Sequence, residues 1–267
     1  MKKNLLKWII FLSLAVFLIN CAGNNMQLAN QSERYYFKGK QAFEKGKWLK
    51  AIDNFKLFLL NNPGSQYSDS AQFLLGESYF NNKEYIMAIS EYRQLTGKYS
   101  YSPLTEKGSY KIAKSYVELS PNYHLDQQNT RRAIRYCQRF ISNYPESEYI
   151  DEVEKDIQRM RNKLGHKLYK NGVLYRKMHK WEAATIYFDE MLANYYDTKW
   201  VLDVQLEKAY CLIRLRKFDE YKQVLASIKG NNEETEELNI ELAELESEYK
   251  EELERIEEEQ EEKKGRF

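Results

Sequence analysis

The sequence predicts an all-α fold, a solenoid of five helix pairs followed by an acidic helix. Three observations lead to this prediction. Small residues recur 37 positions apart in two runs along the chain, and aromatic residues follow them at fixed offsets. The chain also contains only four prolines and eleven glycines, and 30% of its residues are charged. Such a composition fits helices with one apolar and one solvated face.

The recurring small residues mark one packing position in each repeat. They are Gly39, Gly76 and Ala113 in the first run, and Gly172 and Ala209 in the second. Aromatic residues follow nine positions later at Trp48, Tyr85, Trp181 and Phe218, and sixteen positions later at Phe55, Tyr92 and Phe188. Because small residues let two helices approach closely, this order is typical of tetratricopeptide helix pairs. Proteins built this way usually bind other proteins and rarely catalyse reactions.

The turns between these positions divide the chain into repeats. Repeats one and two are predicted at residues 32–104, repeat three at 105–149, and repeats four and five at 150–230. A helix from about Ile150 to Asn171 opens repeat four and is longer than the 37-residue register requires.

Repeat three contains an insertion. Ala113 and Ala133 are twenty residues apart, whereas the matching small residues of the other repeats are twelve apart. The extra residues, which include Asp126 and Gln127, are predicted to form a loop between the paired helices.

The first twenty residues have the features of a signal peptide. Lys2, Lys3 and Lys7 precede a short apolar stretch that ends just before Cys21. The stretch is too short to span a bilayer, which takes about 20 apolar residues. The ending is similar to a bacterial lipobox, which predicts that Cys21 is acylated and anchors the chain to a membrane. Residues 21–31 are then a tether; a plain secretory signal is the alternative.

The C-terminal segment, residues 231–267, is strongly acidic. It holds sixteen Glu against five Lys or Arg, although the whole chain has a net charge of +1. Its apolar residues recur every three or four positions, which predicts one apolar stripe on a helix. That stripe consists of Leu238, Leu242, Leu245, Tyr249, Leu253 and Ile256. The segment is either a solvated extension or a helix that packs on the basic body or on another subunit.

An aromatic ladder is predicted on one face of the first helices. Its rings lie three positions before or four positions after the small residues, and are therefore seven apart on one helix face. They are Tyr36, Phe43, Phe73, Phe80 and Tyr110. A groove lined in this way is suited to an apolar peptide. The alternative is that the rings only pack against the next helix.

Catalysis, metal binding and nucleic-acid binding find no support in the sequence. None of His124, His166 and His179 lies at metal-ligand spacing from another histidine or from a cysteine. The chain lacks a phosphate-binding glycine loop and a nucleophile motif. We therefore expect no enzyme activity, no cofactor and no nucleic-acid partner. Cys137 and Cys211 are predicted to be buried thiols.

Several motifs resemble one known family. They are the lipobox-like start, Gly39, Glu44-Lys45-Gly46, Ala51-Ile52, Asp126-Gln127-Gln128, the run from Tyr144 to Tyr149, and the run from Arg161 to Leu164. Over residues 34–230 the chain resembles the BamD (YfiO) family, the lipoproteins of the machine that assembles β-barrels in the outer membrane. The position of the insertion agrees with this resemblance.

The resemblance implies a location and two partners. The chain would be lipid-anchored on the periplasmic face of the outer membrane. Its N-terminal groove would bind unfolded outer-membrane proteins. Its C-terminal repeats would dock a barrel-forming, BamA-like assembly protein, through a surface that we expect near Tyr169, Arg176, Trp181, Trp200 and Phe218. The individual residues of that surface are not carried over from the family.

Two other functions remain as alternatives. One is a different tetratricopeptide scaffold lipoprotein of the cell envelope, such as a secretin pilot or an envelope coordinator. The insertion in repeat three argues against it. The other is an exported hydrolase or its regulator, which the missing active-site motif argues against.

Overall fold

In a computed structural model, the protein is described over residues 33–231, 233 and 235–265. This part of the chain forms eleven helices and no strand. They are α1 (33–44), α2 (Trp48–Asn61), α3 (Ser68–Asn81), α4 (Tyr85–Lys98), α5 (Thr105–Glu118), α6 (Gln128–Asn143), α7 (Ile150–Lys177), α8 (Trp181–Asn194), α9 (Val201–Arg214), α10 (Phe218–Asn231) and α11 (Glu236–Gly265). The predicted signal peptide, Cys21 and the tether lie outside the described residues.

The first ten helices form five consecutive pairs, as the all-α tetratricopeptide prediction requires. The opening helix of the fourth pair, α7, begins at Ile150 as predicted but ends at Lys177 rather than near Asn171. The helix therefore includes Gly172, the small residue of the fourth repeat, which is buried against the Phe188 ring of α8.

Four of the five pairs turn in the same way. The second residue after each first helix has a positive φ, +66° at Gly46, 63° at Lys83, 56° at His179 and 57° at Arg216. At the first turn Gly46 N donates to Phe43 O at 2.9 Å, and Lys47 N donates to Ala42 O at 2.9 Å. The other three turns repeat both bonds. This is the Schellman ending, which satisfies the last carbonyls of a helix.

The predicted contact between small and aromatic residues holds each pair together. A Cβ added at Gly39 would lie 2.8 Å from the Phe55 ring, and one added at Gly76 would lie 2.5 Å from the Tyr92 ring. At Gly172 the distance to the Phe188 ring would be 2.2 Å. These distances are shorter than van der Waals contact, so only glycine allows the paired helices to lie this close.

The chain folds into two compact units. Unit 1 contains the residues up to Leu119 together with Arg135–Ile150, and unit 2 contains Ser120–Ile134 together with the residues from Asp151 onwards. The division therefore falls within repeat three. The largest fully buried rings of unit 1 are Phe55, Phe58, Tyr92 and Phe140. In unit 2, one core cluster joins Ala184, Phe188 and Met191 of α8 to Val204 and Cys211 of α9.

The acidic segment forms α11, which packs on its own chain within unit 2. Leu238, Leu242 and Leu245 are buried against side chains of α9 and α10. Of the two interpretations of this segment, the structure shows the one in which the apolar stripe packs back. Burial of the stripe, rather than charge alone, places the helix there.

Ion pairs strengthen this packing. Glu252 is buried and accepts hydrogen bonds from Arg216 Nε at 2.9 Å and Arg255 Nη1 at 3.1 Å. Arg214 Nη2 donates to Glu248 Oε2 at 2.8 Å, and Arg216 also binds Glu259 at 2.7 Å. The acidic charge of α11 is thus partly neutralised by Arg214 at the end of α9 and by Arg216 in the turn after it.

Candidate peptide-binding and docking surfaces

Three rings of the predicted aromatic ladder lie in the core of unit 1. Tyr36, Phe73 and Tyr110 are exposed by only 8%, 7% and 7%. Tyr36 stacks on Tyr67, with ring centroids 4.7 Å apart, and Tyr110 stacks on Tyr149 at 4.2 Å. Tyr36 and Tyr110 therefore connect one repeat to the next, whereas Phe73 packs on Tyr92 of its own repeat with ring centroids 5.9 Å apart. All three rings present little surface to a ligand.

The rings that stack on those of the preceding repeat lie at a fixed distance along the sequence. Tyr67 lies 31 residues after Tyr36, Trp200 lies 31 residues after Tyr169, and Tyr149 lies 39 residues after Tyr110 because of the eight inserted residues. In these three repeats, the residue just before the new first helix thus stacks on a ring of the repeat before it, whereas the residue at this offset from Phe73 is Leu104. A search for aromatic residues at this offset would have identified the pairs.

The other two ladder rings, Phe43 and Phe80, are half-buried. Each lies near the end of a first helix and meets the first residue of the following helix edge-on. Phe43 is 5.2 Å from Trp48 and Phe80 is 5.3 Å from Tyr85, measured between ring centroids. Of the ladder rings in repeats one and two, only Phe43 and Phe80 are thus available to a peptide, each beside a ring of the next helix.

A charged pair borders the Phe80 ring. Lys111 Nζ lies 4.7 Å from the Phe80 centroid and donates to Glu77 Oε2 at 2.9 Å. Glu77 also accepts a hydrogen bond from the Tyr92 hydroxyl. The Tyr92 pKa is raised, first by burial and then by the charge of Glu77. The site therefore combines an apolar face with a fixed ion pair. The sequence of one repeat does not indicate this pair, because Glu77 belongs to α3 and Lys111 to α5.

Asp126 and Gln127 build the inserted loop of unit 2. Gln127 is buried, and its Nε2 donates to the carbonyls of Asn122 at 2.8 Å and Leu125 at 3.0 Å. Asp126 is exposed, and its Oδ1 accepts from the backbone N of Gln128 at 2.9 Å, at the start of α6. In the structure both side chains thus hold the loop and the helix that follows it.

The loop is fastened to α7. Lys163 Nζ donates to Ser120 Oγ at 2.7 Å, and Lys167 Nζ donates to Leu125 O at 2.7 Å. The insertion is therefore an ordered part of unit 2, packed on the helix that opens repeat four.

The residues expected near the docking surface are half-buried in unit 2. Trp200 stacks on His166 at 4.2 Å and on Tyr169 at 5.6 Å, and its Nε1 donates to Asn162 O at 3.0 Å. Burial lowers the pKa of His166, and the charges of Lys170 and Lys199 lower it further. The stack is therefore uncharged at neutral pH.

The other expected docking residues also contact their own chain. Trp181 packs edge-on against Tyr210 at 5.8 Å, and Phe218 packs edge-on against Tyr249 of α11 at 5.2 Å. The sequence does not indicate the contact between Phe218 and Tyr249, because this contact depends on where α11 packs.

A cleft of 490 Å³ lies between α7, α9 and α11. Arg176 forms an ion pair with Glu207 at its wall and lies over the Tyr210 ring at 5.4 Å. Burial raises the pKa of Glu207, and burial followed by the nearby Glu237 raises the pKa of Glu241. Most of the charged residues that line this cleft are carboxylates.

Cys137 and Cys211 are buried thiols, as predicted. Burial raises the pKa of Cys211 to about 12, so its thiol stays protonated at neutral pH and is a packing group. In the described residues, no cluster of His, Cys, Asp or Glu could hold a metal ion. Within the same residues, no helix combines the length and the apolar composition needed to cross a bilayer.

Comparison with known proteins supports one family. The family model of YfiO, described as an outer membrane lipoprotein, matches residues 28–225. The chain is 24% identical over 185 residues to the outer membrane protein assembly factor BamD of Caulobacter vibrioides, covering 68% of this chain and 61% of that one. It is 27% identical over 188 residues to the putative BamD of Aquifex aeolicus, covering 69% of this chain and 61% of the relative.

A third relative is covered more fully. The BamD of Rickettsia prowazekii is 24% identical over 199 residues, which span 74% of this chain and 78% of the relative. The chain thus spans about three fifths of the length of the Caulobacter and Aquifex relatives.

Proposed function

Because the chain belongs to the YfiO family of outer membrane lipoproteins, we propose that it is a lipid-anchored component of the machine that assembles β-barrel proteins in the outer membrane. The observation that carries this proposal is the family match over residues 28–225, which runs from before α1 into α10. Three relatives carry the name of an outer membrane protein assembly factor. In this role the protein is a binding scaffold and not an enzyme.

The anchor is Cys21. Residues 22–32 join it to the start of α1, and eleven residues span at most about 40 Å when fully extended. The helical body would therefore stay close to the membrane surface at the periplasmic face. We expect Cys21→Ala to release the protein from membranes and to abolish incorporation of a palmitate analogue. Incorporation that persists in the variant would contradict the lipid anchor.

Unfolded barrel substrates bind unit 1 in this proposal. The support is the pair of half-buried rings, Phe43 and Phe80, each fixed against an aromatic residue of the next helix. Rings held in this way lose little conformational freedom when a peptide packs on them. Tyr36 and Tyr110 contribute by connecting their repeats to the next, and Phe73 contributes to the packing within repeat two.

The barrel-forming, BamA-like partner docks on unit 2. Exposed apolar residues support this assignment. Leu174 of α7 and Met178, the residue just after α7, are 56% and 50% exposed, and they are one helical turn apart because Met178 N donates to Leu174 O at 3.1 Å. Deleting residues 199–267 would be a poor test, because α9 supplies Val204 and Cys211 to the core beneath α8. Surface substitutions avoid that damage.

The decisive experiment is a pull-down from detergent-solubilised envelope. The parent should recover a large barrel-forming outer-membrane protein, and Leu174→Asp with Met178→Asp should recover much less of it. Ile240→Asp is the matched control, because Ile240 of α11 is also 56% exposed in unit 2. If the parent recovers no barrel protein, the proposed function fails. If both variants behave like the parent, docking lies on another surface.

A further inference from the structure

A second cleft lies in unit 1, and neither Phe43 nor Phe80 lines it. Its volume is 420 Å³, and side chains of α4, α5 and α6 form its walls. Ile112 and Phe140, which are buried, form an apolar floor. Arg93, Arg139, Tyr136 and Asn143 are among the polar residues that surround this floor.

The charge of this cleft is positive and is not neutralised within it. Arg93 and Arg139 contribute two guanidinium groups, and no carboxylate lines the cleft. Among the described residues, neither guanidinium forms an ion pair. Because α6 carries four arginines and no carboxylate of its own, the charge of the two arginines facing this cavity is left for an anionic ligand.

Arg93 is held in place by aromatic side chains. Its Nη2 donates to the Tyr116 hydroxyl at 3.0 Å and to the Tyr136 hydroxyl, and its guanidinium lies 5.4 Å from the Tyr136 centroid. The Tyr136 oxygen accepts from Arg93, so its own proton remains available to a ligand. Arg139 is exposed, on the same helix as Tyr136. The guanidinium at Arg93 is thus oriented in advance, which reduces the entropy lost on binding.

We propose that this cleft binds a carboxylate of an extended peptide. Guanidinium groups match the planar, two-oxygen geometry of a carboxylate, and the Ile112 and Phe140 floor would accept an apolar side chain next to it. The carboxylate could belong to the C-terminus of the peptide or to an Asp or Glu side chain. The inference rests on the proposed function, because it adds an anionic contact to the binding of unfolded protein substrates by unit 1.

The test uses the lipidated full-length protein in detergent and a synthetic peptide with the sequence of the last strand of a β-barrel outer-membrane protein. The peptide is made with a free C-terminus, with a C-terminal amide, and with its Asp and Glu replaced by Asn and Gln. Affinity is measured for the parent, for Arg139→Gln and for Arg135→Gln. Arg135 is the matched control, because it is exposed on the same helix but does not line the cleft.

Arg139→Gln should weaken binding of the free-acid peptide about three- to tenfold, as expected for a partly exposed charge-assisted hydrogen bond. Arg139→Gln should not weaken binding of the form that lacks the carboxylate bound by the cleft. If that form is the C-terminal amide, the bound carboxylate is the C-terminus; if it is the form with Asn and Gln, the carboxylate is a side chain. Arg135→Gln should bind every form like the parent. Equal affinity of the parent for all three forms, or an equal loss with both variants, would overturn this inference and leave peptide binding intact. If the parent binds no form, the proposed substrate role fails with it.

Discussion

Gly76→Ala tests whether close approach of paired helices is the reason for the 37-residue repeat of small residues. The new Cβ would lie 2.5 Å from the Tyr92 ring, whereas ordinary contact begins near 3.4 Å. Tyr92 is fully buried and its hydroxyl donates to Glu77, the residue next to Gly76. The ring therefore has no free space to move into, and moving it would disturb that hydrogen bond.

The expected cost follows from three contributions. Overpacking a core position costs about 1–3 kcal/mol, and weakening the Tyr92 hydrogen bond costs about 1 kcal/mol. Alanine gains about 1 kcal/mol over glycine in a helix interior. The free energy of unfolding should therefore fall by about 1–3 kcal/mol. With a urea dependence of about 2 kcal/mol per molar, the unfolding midpoint should fall by about 0.5–1.5 M.

Urea unfolding followed by circular dichroism measures this change. Gly97→Ala is the matched control, because Gly97 is a helical glycine of unit 1 with no atom within 4 Å of the added Cβ. That variant should keep or slightly raise the midpoint. If Gly76→Ala also keeps or raises it, the small residue is not required for packing, and the explanation of the repeat is refuted.

Three further predictions concern the groove, the acidic helix and the turns. Phe43→Ala with Phe80→Ala should weaken binding of a barrel-strand peptide about tenfold, because two ring contacts of roughly 0.5–1.5 kcal/mol each are lost. Circular dichroism must show unchanged helix content, and parent-like affinity would exclude these rings. Leu242→Asp should detach α11, since burial of a charge costs several kcal/mol, and limited proteolysis should then cut within residues 236–265; protection like that of the parent would contradict the packing. Lys83→Gly should raise the unfolding free energy by about 0.5–1 kcal/mol, because glycine relieves the positive φ of 63°, and a lowered midpoint would contradict that strain.

The repeats were predictable because their signals are local. Gly39, Gly76 and Gly172 have their aromatic partners at a fixed distance along the chain, and a helix pair brings that distance into contact whatever surrounds it. The insertion around Asp126 was predictable for the same reason, since it appears as extra residues between two small residues.

The accessibility of the aromatic ladder could not be predicted in this way. Helical spacing placed Tyr36, Phe73 and Tyr110 on one face, but it did not show that Tyr67 and Tyr149 cover two of them. Whether a ring on a helix face is open to a ligand depends on the next repeat. Only the packed structure leaves Phe43 and Phe80 as the half-buried members of the set.

The sequence by itself determined the helix pairs, their register, the inserted loop and the apolar stripe of the acidic segment, because each is a periodic pattern within one or two helices. The tertiary structure decided which side chains remain accessible and which charges meet. Three of these features join residues from different helices. Leu242 packs on α9 and α10 within unit 2, Glu252 pairs with Arg214 of α9 and with Arg216 after it, and one cleft holds Arg93 and Arg139. Such contacts depend on how helices stack, and a one-dimensional spacing does not contain that information.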